Sequence, residues 1–293
     1  MNEKILLVGT VSNVAKTIEK ELAIVLKALS MFDSVEVFLV ESDSTDDTVK
    51  ILESIRNKNF RLNYITLGPL RHTIPNRIER LRYCRNQYVK YIRSNYFGKA
   101  WKYIAVADLD GMNFKLSEKA IKSCFESRFY WDGVMANQKN GYYDLLALRA
   151  SDWVEGDYSI ILKKVKENSV PPLPSKYKFF TFIKMFNFYD VFRKNIIYDN
   201  MRIIPSDKEW IKVFSAFGGF ALYKSYLFLQ HNYDKTNGNR EEKIDHVDFN
   251  LKNSADGAIF FINPRLINNN WNVYNINRLK VVRIIKEFKK SFK

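Results

Sequence analysis

The first 67 residues alternate between short apolar runs and segments with helical periodicity, and this alternation limits the folds open to the chain. Apolar runs lie at residues 5–8, 35–40 and 62–67. Two sets of apolar residues recur between them at helical spacing, Val14, Ile18, Leu22, Val25 and Leu29 in the first and Ile51, Leu52 and Ile55 in the second. Such spacing predicts one buried face on each of two helices. The order strand–helix–strand–helix–strand is typical of a parallel sheet with right-handed crossovers.

A fourth apolar run, at residues 103–107, ends in the carboxylates Asp108 and Asp110. Residues two apart in an extended chain point to the same side, so both carboxylates can converge on one cation. Mg²⁺ and Mn²⁺ take oxygen ligands and often share them with substrate phosphates. An acidic pair in a solvated turn is the alternative explanation. Because ligands bind at the carboxyl ends of parallel strands, we expect Thr10, Glu41 and Asp108 to line one crevice.

Residues 76–96 predict a long, arginine-rich helix with one apolar face. Arg85 lies beside that face, where a charge needs a partner. We therefore expect Arg85 and Arg77 to contact an anion such as a diphosphate. Arg80 and Arg82 are expected to face solvent.

Composition excludes several classes of protein. The net charge of +15 suits anionic partners, but no nucleic-acid-binding motif accompanies it. No Gly-x-Gly-x-x-Gly or Walker sequence follows the first strand, which argues against dinucleotide oxidoreductases and P-loop enzymes. No apolar run approaches a membrane span, the N-terminus does not resemble a signal peptide, and the two cysteines fit a reducing compartment. We expect a cytoplasmic protein.

The residues at the strand ends resemble those of nucleotide-sugar glycosyltransferases with the GT-A fold. The segment Glu-Ser-Asp-Ser-Thr-Asp-Asp-Thr at 41–48 resembles the Asp-Asp-Gly-Ser-x-Asp-x-Thr segment of that family. Arg85-Asn86 resembles its Arg-Asn pair, and Asp108-Leu109-Asp110 its Asp-x-Asp motif. Order and spacing match over roughly the first 150 residues. The runs at 77–86 and 143–149 more faintly resemble the capsule-associated mannosyltransferase branch.

This resemblance implies an α/β protein of GT-A type, with a Rossmann-like, mostly parallel sheet flanked by helices and an acceptor-side subregion in the C-terminal half. Residues 1–150 would form the nucleotide-sugar-binding half and residues 151–276 the acceptor-side half of the same domain. Residues 277–293 form a basic amphipathic segment. It suits the surface of an anionic membrane, which would make the protein peripheral on a membrane, and equally suits docking on its own domain.

The resemblance also implies roles for single residues around the donor. The base and ribose would be held by Thr10, Glu41, Ser42 and Asp43. Arg85 would approach the ribose or the diphosphate, and Asp108 and Asp110 would hold the ribose and the metal. Ser42 and Asp43 depart from the family's usual Asp and Gly, so the sequence does not distinguish a UDP donor from a GDP donor.

The C-terminal half yields fewer expectations. Strands are predicted near 133–136 and 143–148, and residues 171–198 are either an acceptor-side flap or irregular packing. Gly218-Gly219 before Phe220 resembles the acceptor wall of GT-A enzymes, with an ordinary tight turn as the alternative. In the resembling enzymes an acidic residue near 245–248 is the general base of inverting members, which makes Asp248 the first candidate and Asp245 the second. The resemblance makes His246 the candidate third metal ligand, and a structural histidine is the alternative.

These observations predict a Mn²⁺- or Mg²⁺-dependent glycosyltransferase. It would move a sugar from a UDP or GDP donor to a glycan or lipid-linked glycan in polysaccharide biosynthesis, with no nucleic acid as partner. Inverting and retaining mechanisms remain open. The alternatives are a non-catalytic basic protein that binds nucleic acid or sugar, and a sugar nucleotidyltransferase. The last would need a Gly-rich phosphate loop that the first strand lacks.

Overall fold

A computed structural model describes residues 2–58, 61–154, 200–234 and 245–270. Its helices are α1 Ile18–Ala28, α2 Thr48–Lys58, α3 Arg77–Lys99, α4 Glu118–Lys122, α5 Leu227–Gln230 and α6 Asp245–Ala255, with a short 3-10 helix at Leu70–His72. Its strands are β1 Lys4–Val11, β2 Ser34–Glu41, β3 Leu62–Thr66, β4 Trp101–Ala107, β5 Gly133–Gln138, β6 Ile211–Val213, β7 Phe220–Lys224 and β8 Phe260–Asn269.

The eight described strands form one mixed sheet in the order β3-β2-β1-β4-β7-β5-β8-β6. Strands β3, β2, β1 and β4 are parallel neighbours, as the alternation of the first 107 residues predicts. Strand β7 inserts antiparallel between β4 and β5, and β8 then pairs parallel with β5. The predicted α/β class with a mostly parallel, helix-flanked sheet is therefore confirmed.

Apolar residues cover both faces of the sheet. On one face, α1 contributes Leu22 and Val25 and α2 contributes Leu52 to a core that also includes Ile121 of α4. On the other face, α3 packs beside α5 and α6. Each large side chain removed from water in this way contributes about 1.5–3 kcal/mol. The two cores fix the sheet, so the loops at its carboxyl edge project from a rigid base.

Helix α3 carries the arginines of the candidate site and has clear boundaries. The side chain of Asn76 accepts hydrogen bonds from the backbone N–H groups of Ile78 and Glu79, which caps the N-terminus. Ala100 ends the helix in a left-handed conformation with φ of 52°. The helix therefore spans nearly the predicted residues and continues to Lys99.

The predicted strand at 143–148 is wrong. This segment is a loop and turn, in which the backbone N–H of Leu145 donates to the carbonyl of Tyr143 at 2.9 Å. The apolar side chains that suggested a strand, such as Leu145 and Leu148, are buried in the core without joining the sheet. The strand near 133–136 is observed as β5, and strand β7 follows the Gly218-Gly219 turn.

Two further predictions, the acceptor-side flap at 171–198 and the basic segment at 277–293, lie outside the described residues. Within the described ranges, no helix combines the length and apolar character that crossing a bilayer requires.

Candidate functional site

A cavity of about 410 Å³ lies at the carboxyl ends of β1, β2 and β4. Its wall includes most of the residues that the sequence assigned to the site, which are Thr10, Ser42, Asp43, Arg77, Arg85, Asp108, Asp110, Asp245 and His246. Glu41, Asp248 and the two glycines are not part of the wall. Most of the predicted site residues are therefore brought together, from segments more than 200 residues apart.

Asp108 and Asp110 follow β4 and both line the cavity. Burial raises the pKa of Asp108 to about 7, and the neighbouring carboxylates of Asp110, Asp144 and Asp245 add to this effect, while Arg85 opposes it. The side chain of Asp108 keeps 31% of its surface exposed. Carboxylates crowded in this way favour a bound cation, because a positive charge offsets their mutual repulsion.

The side chains of Asp108 and Asp110 suit a divalent ion. Mg²⁺ is commonly held by one or two carboxylates plus substrate phosphates, and Asp108 and Asp110 meet that requirement. The predicted third ligand does not join them. Among the described residues, no group of three or more His, Cys, Asp or Glu side chains is arranged to hold an ion.

His246 lies in the cavity wall, but its ring is stacked on Phe217 with 3.8 Å between ring centroids. Both ring nitrogens are buried and have no hydrogen-bond partner in the described part of the chain. Burial lowers the pKa of His246 well below its ordinary value, and the charge of Arg85 acts in the same direction. The imidazole is therefore neutral near pH 7, and its unprotonated nitrogen can accept a hydrogen bond from a ligand.

Arg85 is 5% exposed and forms a buried ion pair with Asp245 through its Nε. Its Nη2 lies 3.8 Å from Oδ1 of Asp108. The guanidinium also lies over the rings of Phe217 and Tyr233. The anions that contact Arg85 are therefore carboxylates of the protein, those of Asp245 and Asp108. A donor phosphate would approach a guanidinium that already contacts both.

The turn after β2 is held by ion pairs. Asp43 has a φ of 61°. Its carboxylate lies 3.3 Å from Nε of Arg71 and 3.3 Å from Nε of Arg80. Arg80 therefore does not simply face solvent as expected. Glu41 is 2% exposed and accepts hydrogen bonds from the backbone of Ser44 and the hydroxyl of Thr66, so it supports the turn from behind the cavity.

Asp248, the first candidate for the general base, lies outside the cavity wall. It is 1% exposed, and its Oδ2 is 3.1 Å from Nη2 of Arg82. The expectation that Arg82 faces solvent is accordingly wrong, because this buried carboxylate holds it inside. A carboxylate engaged in this pair is poorly placed to take a proton from a substrate in the cavity.

The Gly218-Gly219 turn lies directly behind the carboxylates of the cavity. The backbone N–H of Gly218 donates to Asp144 at 3.1 Å, and the carbonyl of Gly219 accepts from the backbone N–H of Asp108 at 3.0 Å. The φ angles are 72° and 84°, and a Cβ on Gly218 would meet the carbonyl oxygen of Ala136 at 2.7 Å. The close approach that Gly218 permits is therefore to the protein's own backbone.

Asp144 is a cavity residue that sequence reasoning missed. Its carboxylate accepts hydrogen bonds from the backbone N–H groups of Gly218 and Ala147, at 3.1 and 3.3 Å. Burial raises its pKa. The adjacent Tyr143 and Asp144 could have indicated a polar site, but the strand predicted at 143–148 included both. Arg71 was also missed, because no motif surrounds it.

Comparisons with known proteins agree with this geometry. Residues 9–93 match the model of the family described as Glycosyl transferase family 2. Comparison with the curated proteins finds no match. Among solved structures, the mannosyltransferase PcManGT from Pyrobaculum calidifontis, in complex with GDP-Man and Mn²⁺, is similar with a TM-score of 0.50 and 11% identity, over 100% of this chain and 65% of that one.

A second similar structure is S. aureus TarS 1-349, with a TM-score of 0.45 and 14% identity over 96% of this chain and 64% of that one. The chain thus spans less than two thirds of the length of these structures. The family match covers the segment that brings Thr10, Asp43 and Arg85 to the cavity. The described chain therefore has the GT-A fold, and its residues 9–93 match glycosyl transferase family 2, which confirms the resemblance found in the sequence.

Proposed function

We propose that this chain is a glycosyltransferase that uses a divalent metal ion to move a sugar from a nucleoside-diphosphate donor to a hydroxyl group of a glycan or lipid-linked glycan. The observation that carries the proposal is the convergence of Asp108 and Asp110 with the β2–α2 turn and with Arg77 of α3 on one cavity. The family match over residues 9–93 supports the same class of enzyme.

The donor would enter from the rim formed by β1, the β2–α2 turn and the start of α3. Thr10, Ser42 and Asp43 would contact the nucleoside, and the exposed Arg77 would contact the diphosphate. PcManGT, whose fold is similar, is bound to GDP-Man, which supports GDP as a candidate nucleotide beside UDP. A basic rim also raises the local concentration of an anionic donor.

Asp108 and Asp110 would hold Mn²⁺ or Mg²⁺ together with oxygens of the donor diphosphate. The ion would supply Lewis-acid stabilisation of the charge that develops on the leaving nucleotide. Arg77 would add a second positive charge on the phosphates. Arg85 would orient Asp108 through its contact at 3.8 Å.

The acceptor hydroxyl would lie near His246, Asp144 and Asp245. In an inverting transfer the bond between the sugar C1 and the phosphate oxygen breaks, its electron pair stays on the phosphate, and the acceptor oxygen bonds to C1 as its proton leaves. Because Asp248 is held by Arg82 away from the cavity, we assign the hydrogen bond from the acceptor hydroxyl to the unpaired ring nitrogen of His246. The carboxylate of Asp245, which bonds to the backbone N–H of His246 at 3.1 Å, would stabilise an imidazolium.

A thermal-shift screen of UDP, GDP, CDP and dTDP sugars, each with and without Mn²⁺, tests the proposal. A ligand at 100 times its Kd stabilises the native state by about 2.7 kcal/mol, which corresponds to a shift of roughly 5–10 °C for a domain of this size. We expect one nucleotide to give a shift that requires Mn²⁺. Asp110→Asn should remove it, and Asp207→Asn, an exposed aspartate away from the cavity, should retain it. Stabilisation by nucleic acid that disappears at high salt, with none by nucleotide sugars, would instead indicate the binding-protein alternative.

A further inference from the structure

Glu21 of α1 is a buried carboxylate that neither the sequence motifs nor the proposed reaction uses. It is 0% exposed, although its helix presents other charged residues such as Glu19 to solvent. No cation pairs with it among the described residues. A buried charge of this kind is costly unless other groups satisfy it, so its partners identify its role.

The partners of Glu21 all belong to the loop that carries the metal carboxylates. Its Oε2 accepts a hydrogen bond from the backbone N–H of Gly111 at 2.6 Å. Its Oε1 accepts from the backbone N–H and from the side-chain amide of Asn113, at 2.7 and 3.1 Å. Both oxygens thus accept hydrogen bonds from the short segment that follows Asp110.

Asn113 connects Glu21 to the start of the loop and to strand β8. Its side-chain amide also donates to the backbone carbonyl of Asp108 at 2.5 Å, and its Oδ1 accepts from Asn268 of β8 at 3.1 Å. Asn268 in turn donates to the carbonyl of Gly218 at 2.8 Å. The loop from Asp108 to Asn113 is therefore fixed between α1 and the glycine turn.

The charge of Glu21 also interacts with the charge of Asp110. Burial raises the pKa of Glu21, the hydrogen bonds from Gly111 and Asn113 oppose this, and the nearby charge of Asp110 raises it again. The negative charge of Asp110 therefore repels that of Glu21. A cation between Asp108 and Asp110 would relieve that repulsion.

We propose that Glu21 is a positioning residue that sets the affinity of the Asp108–Asp110 pair for a divalent cation, by holding the Gly111–Asn113 loop through three hydrogen bonds. This inference rests on the proposed function. Groups that orient metal ligands from outside the coordination sphere typically change metal affinity 10–100-fold when removed.

The test measures Mn²⁺ binding to the full chain directly, by the loss of the free-ion signal in electron paramagnetic resonance. The wild-type protein should bind Mn²⁺ in a manner that Asp110→Asn abolishes. Glu21→Gln keeps the shape of the side chain but replaces one accepting oxygen by an NH₂ group, which cannot accept a hydrogen bond from the backbone N–H of Gly111 or Asn113. It should weaken Mn²⁺ binding by about 10-fold or more. Glu19→Gln, on the exposed face of the same helix, should bind like wild type.

The control for a purely structural role of Glu21 is Val25→Ala. This substitution destabilises the same helix from a fully buried position and removes no hydrogen bond to the loop. If Val25→Ala lowers the melting temperature as much as Glu21→Gln but leaves the Mn²⁺ affinity unchanged, the positioning role is supported. Should Glu21→Gln fold poorly, Asn113→Ala retains the Glu21 carboxylate, loses the side-chain bond to Asp108, and should also weaken Mn²⁺ binding.

The outcomes distinguish this inference from the proposed function. Wild-type affinity in both Glu21→Gln and Asn113→Ala would overturn the role of Glu21 while leaving the metal site intact. Equal weakening in Val25→Ala and Glu21→Gln would overturn it as well, because affinity would then follow stability alone. Absence of Asp110-dependent Mn²⁺ binding in the wild-type chain would contradict both.

Discussion

The ion pair between Arg85 and Asp245 gives the sharpest prediction for stability. Their side chains are 5% and 3% exposed, so the pair is almost wholly removed from water. Removing one partner of a buried pair typically costs about 3–5 kcal/mol, because the other charge is left buried. In Asp245→Asn the guanidinium would keep Asp108 at 3.8 Å as a weaker partner, and we therefore expect a loss near the lower limit, about 3 kcal/mol.

Urea unfolding followed by tryptophan fluorescence at pH 7 measures this loss. The matched control is Glu209→Gln, whose partner Arg128 and own side chain are 78% and 76% exposed. Such surface pairs contribute at most about 1 kcal/mol. A loss in Asp245→Asn no larger than that of the control would show that the Arg85–Asp245 pair does not stabilise the fold more than a surface pair. The direction of the pH dependence also follows. Burial raises the pKa of Asp245, but the charge and hydrogen bond of Arg85 together with the hydrogen bond from the backbone of His246 give a net lowered pKa. The contribution of the pair is therefore present at neutral pH and is lost as the pH falls through the lowered value.

Three further predictions concern backbone conformation, thiol chemistry and donor binding. Gly218→Ala should cost at least about 1 kcal/mol more in urea unfolding than Gly257→Ala, since both have positive φ but only Gly218 has a backbone oxygen, 2.7 Å away, where the Cβ would lie. Ellman's reagent at pH 8 should label neither thiol of the folded chain, because burial raises the pKa of Cys84 and raises that of Cys124 to about 12, whereas both should react in guanidinium. Rapid labelling in the native state would contradict that burial. Arg77→Ala should weaken binding of the selected nucleoside diphosphate about 10-fold in calorimetry, as expected for loss of one charge-assisted hydrogen bond; unchanged affinity would place the diphosphate elsewhere.

The N-terminal part of the fold follows from local sequence patterns. Helix α1 and strands β1 and β2 are each specified by the spacing of their own apolar residues, so residues such as Leu22 and Val25 indicate their burial without tertiary information. The C-terminal half lacks this property. Strand β7 lies antiparallel between β4 and β5, a pairing that no local pattern encodes.

The same distinction applies to the candidate site. Asp108 and Asp110 end a recognisable strand, and so their convergence could be predicted. The partner of Arg82 lies 166 residues away, at Asp248, and nothing near either residue indicates the pair. Glu21 resembles any glutamate on a solvated helix face until Gly111 and Asn113 are placed against it, and it was missed for that reason.

In the function proposed above, Asp108 and Asp110 form a metal-dependent donor site. The most direct measurement is the release of nucleoside diphosphate from the nucleotide sugar selected in the thermal-shift screen, with Mn²⁺ and with a chelator. We expect release that needs the ion, falls at least about 100-fold in Asp110→Asn, and is unchanged in Asp207→Asn. Release at the wild-type rate in Asp110→Asn, or in the presence of the chelator, would contradict the proposed function.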